Sequence, residues 1–225
     1  GEVGGKRLGR HCQKGKLLDP AQFATRGQIC NSAALTTCLY YDIHRQTKET
    51  AAIAMLDAKA CFDRNLHSLS IPVNEKYGIP RAASMFLYRA LRAMSFKVGT
   101  AHGVSMESFS VLQNPERPLH GYGQGAGESA GLHVLVADIS NVALKANSHP
   151  AAILHSINRE AAAPLSQQTS IFMDDTTLYT NLSGITTYLI AKYAFPFDKA
   201  VSYAMQYLMT TYSKYLWTTG GRLSL

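Results

Sequence analysis

The sequence predicts an α+β protein in which a small antiparallel sheet packs on helices. Three observations support this fold class: short apolar runs typical of buried strands, longer segments with apolar residues at helical spacing, and no glycine-rich dinucleotide fingerprint between them. Two of the short runs end in aspartates, at Asp57 and at Asp174-Asp175. The 225 residues are long enough for one domain, or about one and a half, with a substantial core.

The first elements are a basic segment, a helix and a strand. Residues 1–20 are rich in glycine and lysine, and we expect them to be a flexible loop. Asn31-Ser32 can cap a helix that runs to about Gln46. A short apolar run from Ala51 to Asp57 indicates a strand. The helix is expected to bury Leu35, Cys38, Leu39 and Ile43.

Two helices and a set of short strands follow. We expect a helix from Asp63 to about Tyr77, with a break at Pro72 because proline cannot donate a backbone hydrogen bond. Arg81 to Met94 has the apolar spacing of a second helix. Residues 96–119 contain glycine and proline and predict short strands and turns.

The second half begins with a glycine-rich loop at 121–127, which leads into an amphipathic helix. Residues 147–167 predict a polar, irregular insertion. Residues 171–173 and 177–179 flank the acidic pair and predict a hairpin. A last helix from 201 to 216 ends at Gly220-Gly221. The apolar face of the first of these helices comprises Leu132, Leu135, Val136, Ile139 and Ala143, and that of the last comprises Val201, Met205, Leu208, Tyr212 and Leu216.

The net charge of +7 and the pI near 9.2 favour a polyanionic partner. Residues 1–16 alone carry +4, since a single acid, Glu2, stands against five cations. A solvated basic arm and a segment that contacts nucleic acid are both open interpretations. The five cations are Lys6, Arg7, Arg10, Lys14 and Lys16.

Cysteine spacing and hydropathy give weaker indications about the compartment. The four cysteines have no Cys-x-x-Cys spacing, so the sequence suggests neither a zinc site nor a disulfide framework. We expect reduced thiols in an intracellular protein. No apolar run approaches the roughly 20 residues that span a bilayer, and no signal-peptide pattern opens the chain, so no membrane partner is expected.

The aspartates that end the two apolar runs are the most informative residues. Aspartate is a poor strand former and is costly to bury, so packing rarely explains it there. If the two strand ends lie side by side, Asp57, Asp174 and Asp175 form one acidic group. Hard divalent ions offset the repulsion within such a group of carboxylates. Enzymes that catalyse phosphoryl transfer use two such ions, roughly 3.5–4 Å apart. Taken alone, a paired aspartate is more often an ordinary turn.

Five collinear segments narrow this interpretation. Residues 56–63 place Phe five positions after an Asp, residues 121–130 contain Gly-Gln-Gly and a following Ser, and residues 172–175 are Phe-Met-Asp-Asp. Gln-Phe-x-x-Arg with a later Ser lies at 22–32, and Trp-x-x-Gly-Gly-Arg lies within 217–223. Together these segments resemble the reverse transcriptase family, in particular its non-LTR retrotransposon and group II intron members.

The resemblance implies an RNA-directed DNA polymerase with a palm and partial fingers. It divides the chain into a basic segment at 1–20 and a reverse transcriptase domain at 21–225. The fingers would comprise about 21–50 and 75–118, and the palm about 51–74 and 119–225, without a thumb. Asp57, Asp174 and Asp175 would be the catalytic residues and would bind two Mg²⁺ ions, with Mn²⁺ as an alternative ion.

The resemblance also implies roles around these acids. Phe62 would pack under the sugar of the incoming dNTP and leave no room for a 2′-hydroxyl. Gln124, Gly125 and Arg26 would contact the nucleotide, whereas Ser129 and Gly123 would contact an RNA template and a DNA primer. Nuclear or cytoplasmic residence would follow. No oligomeric state is implied.

Departures from the family pattern keep alternatives open. Gly123 and Ala130 stand where the family has prolines, and Ala24 and Thr25 replace the usual Gly and Phe before Arg26. One alternative is therefore an inactive, truncated retroelement remnant that retains the fold and at most binds nucleic acid. Another is an unrelated protein in which the motifs are coincidental.

Overall fold

The computed structural model describes residues 2–25, 28–110, 113, 120–123, 128–147, 151–154, 164–185 and 196–224. These residues form helices and small antiparallel sheets, so the predicted α+β class is confirmed. The helices are α1 (Glu2–Lys14), α2 (Cys30–Thr47), α3 (Cys61–Arg64), α4 (Ser70–Lys76), α5 (Arg81–Ala93), α6 (Ser129–Asn147), α7 (Leu182–Ile185) and α8 (Phe197–Thr218), with a 3-10 turn at His67–Leu69. The strands are β1 (Ala51–Asp57), β2 (Ser95–Phe96), β3 (Gly99–Thr100), β4 (Gly103–Val104), β5 (Phe109–Ser110), β6 (Ala152–Leu154), β7 (Leu165–Gln167), β8 (Thr169–Phe172) and β9 (Asp175–Asn181).

The main sheet has three antiparallel strands in the order β1-β9-β8. Its middle strand, β9, pairs with β1 from Ala51–Asn181 at one end to Asp57–Asp175 at the other. β8 and β9 form a tight hairpin, since Phe172 pairs with Asp175 and leaves a two-residue turn. The strand at 51–57 and the hairpin are therefore as the sequence predicts.

α8 packs along one face of this sheet because its apolar residues recur every three or four positions. Leu208 is fully buried and lies in one core cluster with Leu178 of β9 and Leu144 of α6. Each buried leucine of this kind contributes about 1.5–3 kcal/mol. The predicted face of the last helix is confirmed, and its buried residues are Val201, Met205, Leu208, Tyr212 and Leu216.

A second core lies between α1, α4, α5 and α6. It includes Leu132 and Leu135, as predicted, together with Tyr77 and Leu91. Fully buried Asp138 is tied into this region, because it accepts a hydrogen bond from the Tyr77 hydroxyl at 2.6 Å and one from the Asp19 amide at 2.9 Å. Burial raises the pKa of the Asp138 carboxyl. α6 thus links both cores and is buried on more than one side.

Residues 2–14 form a helix rather than the expected loop. Cys12 is buried in the second core, and Leu8, one helical turn earlier, packs against the same core. The His11 ring nitrogen Nε2 also lies 2.8 Å from the Tyr77 carbonyl oxygen. Each glycine lowers the stability of a helix by about 1 kcal/mol, so the sequence of this segment does not predict a helix. Burial of one face of α1 against the second core offsets that cost.

α2 has the expected position but buries a different face. Leu35 and Leu39 are 58% and 52% exposed, whereas Tyr40 and His44 are buried. The Tyr40 hydroxyl donates a hydrogen bond to the Thr180 carbonyl at 2.7 Å. The Tyr40 ring sets the orientation of α2, because it is large and its hydroxyl can also bond to a strand carbonyl. The spacing of aliphatic residues alone does not reveal this. The helix starts after Ile29, without a side-chain cap from the predicted pair.

Two other expectations need correction. The helical stretch at 61–76 is interrupted at residues 65 and 66 rather than at Pro72, which lies in the first turn of α4, where no amide donor is needed. Within the expected irregular insertion, β6 and β7 pair antiparallel. α5 and the short strands β2 to β5 agree with the predictions. In the part of the chain described above, no helix has both the length and the apolar character needed to cross a bilayer.

Candidate functional site

An acidic edge is formed where β1 ends and β9 begins. Asp57 is the last residue of β1, Asp175 is the first of β9, and the two are directly opposite each other. Opposite residues of antiparallel strands project from the same face, with Cβ atoms about 4.5–5.5 Å apart. Both side chains are exposed. The sheet register therefore brings these two carboxylates together.

Asp174 occupies the hairpin turn between Phe172 and Asp175. The preceding residue, Met173, has φ 56°, a left-handed conformation that side chains other than glycine seldom adopt. Asp174 is half-buried and lines a cavity of about 20 Å³ with Cys61 and His133. All three predicted acids thus lie at one end of the sheet, although Asp174 borders a cavity among the helices rather than the face shared by the other two.

The electrostatics of this edge reflect several negative charges in a small region. The pKa of the Asp175 carboxyl is raised by partial burial and then by the charges of Asp174 and Asp57. Burial, and next the charge of Asp174, raise the pKa of the Cys61 thiol to about 12. The Cys61 thiol is therefore protonated at neutral pH. A cation at this edge would reduce the repulsion among the carboxylates.

The donor set fits hard divalent ions, which prefer carboxylate oxygens. Among the described residues, however, no three His, Cys, Asp or Glu side chains converge into a ready metal cluster. Like charges separate when no cation lies between them, which is the expected arrangement for three carboxylates on their own. The residues that could hold ions are Asp57, Asp174 and Asp175.

A groove of about 440 Å³ runs between α2 and the main sheet, and the acidic edge forms one end of it. Asp57 and Asp175 line that end. The rest of its wall combines small or apolar groups with hydroxyls and includes Ala33, Ala34, Thr37, Met55, Ser170 and Phe172. Its volume and mixed lining are those of a small-molecule site.

Phe62 is half-buried in α3, five residues after Asp57, and its ring centroid lies 4.8 Å from that of His133. His133 is 5% exposed, and burial lowers the pKa of its ring. Asn65 donates from Nδ2 to the Cys61 carbonyl at 2.7 Å and lies 3.1 Å from His133 Nδ1. Neither His133 nor Asn65 is among the site residues that the sequence predicts. The available signal was a histidine in the otherwise apolar run from 132 to 136.

The start of the glycine-rich loop is docked tightly against α3. Gly121 has φ 91°, and a Cβ there would lie 2.4 Å from the Asp63 Cα atom. The amides of Gly121 and Tyr122 donate to the carbonyls of Asn65 and Phe62, at 2.8 and 2.7 Å. Only glycine fits this close approach. It holds the start of the loop beside Phe62.

The remaining predicted residues fall into two groups. Ser129 begins α6, is buried, and donates from Oγ to the carbonyl of half-buried Gly123 at 2.8 Å. Its hydroxyl therefore ties Gly123 to the start of α6. Arg26, Gln124 and Gly125 lie outside the described residues.

Comparison with known proteins gives a likeness to a solved structure. No protein family matches the chain by its sequence profile, and no curated protein matches it either. A structure of telomerase from Candida albicans, in complex with a TWJ fragment of telomeric RNA, has a TM-score of 0.59 at 12% identity. The match covers 98% of this chain but 32% of the telomerase chain, so this chain spans about a third of that neighbour. At this identity the likeness concerns the α+β fold alone.

Proposed function

We propose that the chain is the palm and partial fingers of an RNA-directed DNA polymerase, which adds dNTPs to a primer 3′-hydroxyl by two-metal nucleotidyl transfer. The observation that carries the proposal is the pairing of Asp57 with Asp175 beside Asp174 in the hairpin turn. The order of the motifs along the chain supports it. So does the fold likeness to a telomerase, which is a relative of reverse transcriptases.

The three carboxylates would each have a part in holding the ions. Asp57 and Asp174 would contact both ions, and Asp175 would support them from the adjacent strand. When bound, two divalent ions would supply Lewis-acid stabilisation of the attacking 3′-hydroxyl and the leaving pyrophosphate. Burial, and next the charges of Asp174 and Asp57, raise the pKa of Asp175, and a bound cation would offset both effects.

Phe62 would select the sugar of the incoming nucleotide. It follows Asp57 by five residues and is backed by the His133 ring, which limits how far the phenyl ring can retreat. A ribose 2′-hydroxyl would therefore meet a ring that cannot move away. The Phe62→Val variant should incorporate ribonucleotides more readily than the native chain.

The decisive experiment is primer extension on poly(rA)/oligo(dT) with Mg²⁺. We expect the native chain to extend the primer and Asp174→Asn to be slower by roughly 10²-fold or more, because a metal-binding charge is lost. Asp42→Asn, an exposed residue of α2 paired with Arg45, is the matched control and should behave like the native chain. Equal incorporation by all three proteins, or none by any, would refute polymerase activity of this chain.

A second candidate function is nucleic-acid binding without catalysis, in a remnant that keeps the fold. It is favoured by the net charge of +7 and by Gly123 and Ala130, which stand where the family has prolines. The two candidates differ in one readout. Binding of a primer–template without any Mg²⁺-dependent extension would support the second and exclude the first.

A further inference from the structure

Helix α1 carries four Lys or Arg residues, and three of them are arranged on one face. Arg7, Arg10 and Lys14 are exposed and are spaced by three and four residues, so they form one stripe. At 1.5 Å per residue the stripe is about 10 Å long. We call Arg7, Arg10 and Lys14 the basic stripe.

The helix that carries the basic stripe is anchored by its opposite face. Leu8 and Cys12 contact the second core. Leu8 lies so close to α6 that a Cβ at Gly131 would be 3.1 Å from its Cδ2 atom. The three charges are therefore held in a fixed arrangement rather than on a loose arm, which reduces the conformational entropy lost on binding.

The charges of the basic stripe are available for a partner. Among the residues whose side chains the structure describes, no ion pair involves any of these three residues. The helix also lies near the acidic edge, because Leu8 and Cys12 share a cavity of about 120 Å³ with Met173, the neighbour of Asp174 in the hairpin turn. Because the stripe faces away from this cavity, the width of α1, about 10–12 Å with its side chains, separates a strand bound on the stripe from the turn.

We propose that the basic stripe is a docking surface for the phosphate backbone of a nucleic-acid strand. An anionic membrane fits less well, because an interfacial helix inserts its apolar face into lipid, and here that face is buried in the protein. Backbone contacts of this kind carry no sequence preference and weaken with salt. The choice of nucleic acid rests on the proposed function, but the surface itself requires no catalysis.

The test is fluorescence anisotropy with labelled RNA and DNA strands of about 20 nucleotides, without Mg²⁺, over a salt series. The variant is Arg7→Gln/Arg10→Gln/Lys14→Gln. Three lost contacts should reduce the slope of log K against log salt by about 2, since each single-strand contact contributes about 0.7. Affinity at about 0.1 M salt should fall roughly 100-fold, because that slope acts over the tenfold interval below 1 M.

The control removes the same charge elsewhere, with Lys76→Gln/Lys199→Gln/Lys214→Gln, three exposed lysines of α4 and α8. It should change affinity less than fivefold or so by general electrostatics. Far-UV circular dichroism and thermal unfolding establish that both variants fold. Equal losses in both variants, or native affinity in the first, would overturn the proposal. So would charge-dependent binding to phosphatidylserine vesicles without binding to either nucleic acid.

This experiment separates the two proposals. Loss of binding in the stripe variant together with no primer extension by the native chain would leave the docking surface standing and remove the polymerase. If instead the stripe variant extends the primer as well as the native chain at about 0.1 M salt, the polymerase would stand and the docking surface would be removed.

Discussion

Replacing Gly121 with alanine should destabilise the fold strongly, although the change adds a single methyl group. A Cβ at this position would lie 2.4 Å from the Asp63 Cα atom and 2.5 Å from the Phe62 carbonyl oxygen. Both are backbone atoms of α3, which cannot move aside as a flexible side chain can. The backbone φ of 91° adds conformational strain for any residue other than glycine.

The magnitude follows from these two effects. Left-handed backbone costs a non-glycine residue about 1–2 kcal/mol, and overpacking against fixed atoms costs about 1–3 kcal/mol. If the segment instead shifts away, it loses the hydrogen bonds from the Gly121 and Tyr122 amides to the carbonyls of Asn65 and Phe62, each of which contributes about 1 kcal/mol. We therefore expect the free energy of unfolding to fall by about 2–5 kcal/mol.

Urea unfolding followed by far-UV circular dichroism measures this change. Gly123→Ala is the matched control, because a Cβ there would meet nothing closer than the Met94 Cε atom at 3.6 Å, an ordinary contact. The control should stay within about 1 kcal/mol of the native chain. If Gly121→Ala and Gly123→Ala differ by less than about 0.5 kcal/mol, the close docking of this segment on α3 is wrong.

Three further predictions concern charge and thiol chemistry. Asp175→Asn should raise the free energy of unfolding near pH 7 by about 0.2–1 kcal/mol, since it removes a partly buried charge and its repulsion from Asp174 and Asp57. The folded state raises the pKa of the Asp175 carboxyl, so its cost to stability disappears as acid protonates it. Urea titrations at about pH 3 should therefore show no gain in the free energy of unfolding. A lower free energy of unfolding for the variant at pH 7 would contradict the repulsion. Burial lowers the pKa of His44, so protonation favours the unfolded chain, and stability should fall as the pH drops from about 7 to 5. His44→Gln should make the midpoint of thermal unfolding depend less on pH in this range. An unchanged dependence would show that His44 is not responsible. Cys30 and Cys38 are exposed, whereas Cys12 and Cys61 are buried. In Ellman titrations at about pH 8, the exposed pair should react rapidly and the buried pair only after denaturation. Four rapidly reacting thiols would refute this burial pattern.

The parts of the fold that the sequence predicted well are those in which local pattern and tertiary burial agree. In α8 the apolar stripe leaves one face to bury, and that face is the buried one. In the hairpin, an apolar run on each side of Asp174-Asp175 leaves one way to pair. The position of the acids at strand ends was predictable for the same reason.

Failures occurred where the deciding contact is distant in sequence. α1 is helical because α6 covers Leu8 and Cys12, more than 100 residues away. α2 is oriented by Tyr40, whose partner Thr180 is equally remote. The pairing of Asp57 with Asp175 rather than Asp174 depends on the register, and a slip of one residue would reverse the faces.

The pairing of β1 with β9 also has a kinetic consequence. Roughly 120 residues separate the paired positions, so closing this loop costs about 4 kcal/mol of chain entropy before the contacts repay it. Such non-local pairing slows folding. The acidic edge cannot exist until this late closure is complete, so in a chain growing from the ribosome the carboxylates of Asp57 and Asp175 come together abruptly, when β9 joins β1, and not by degrees.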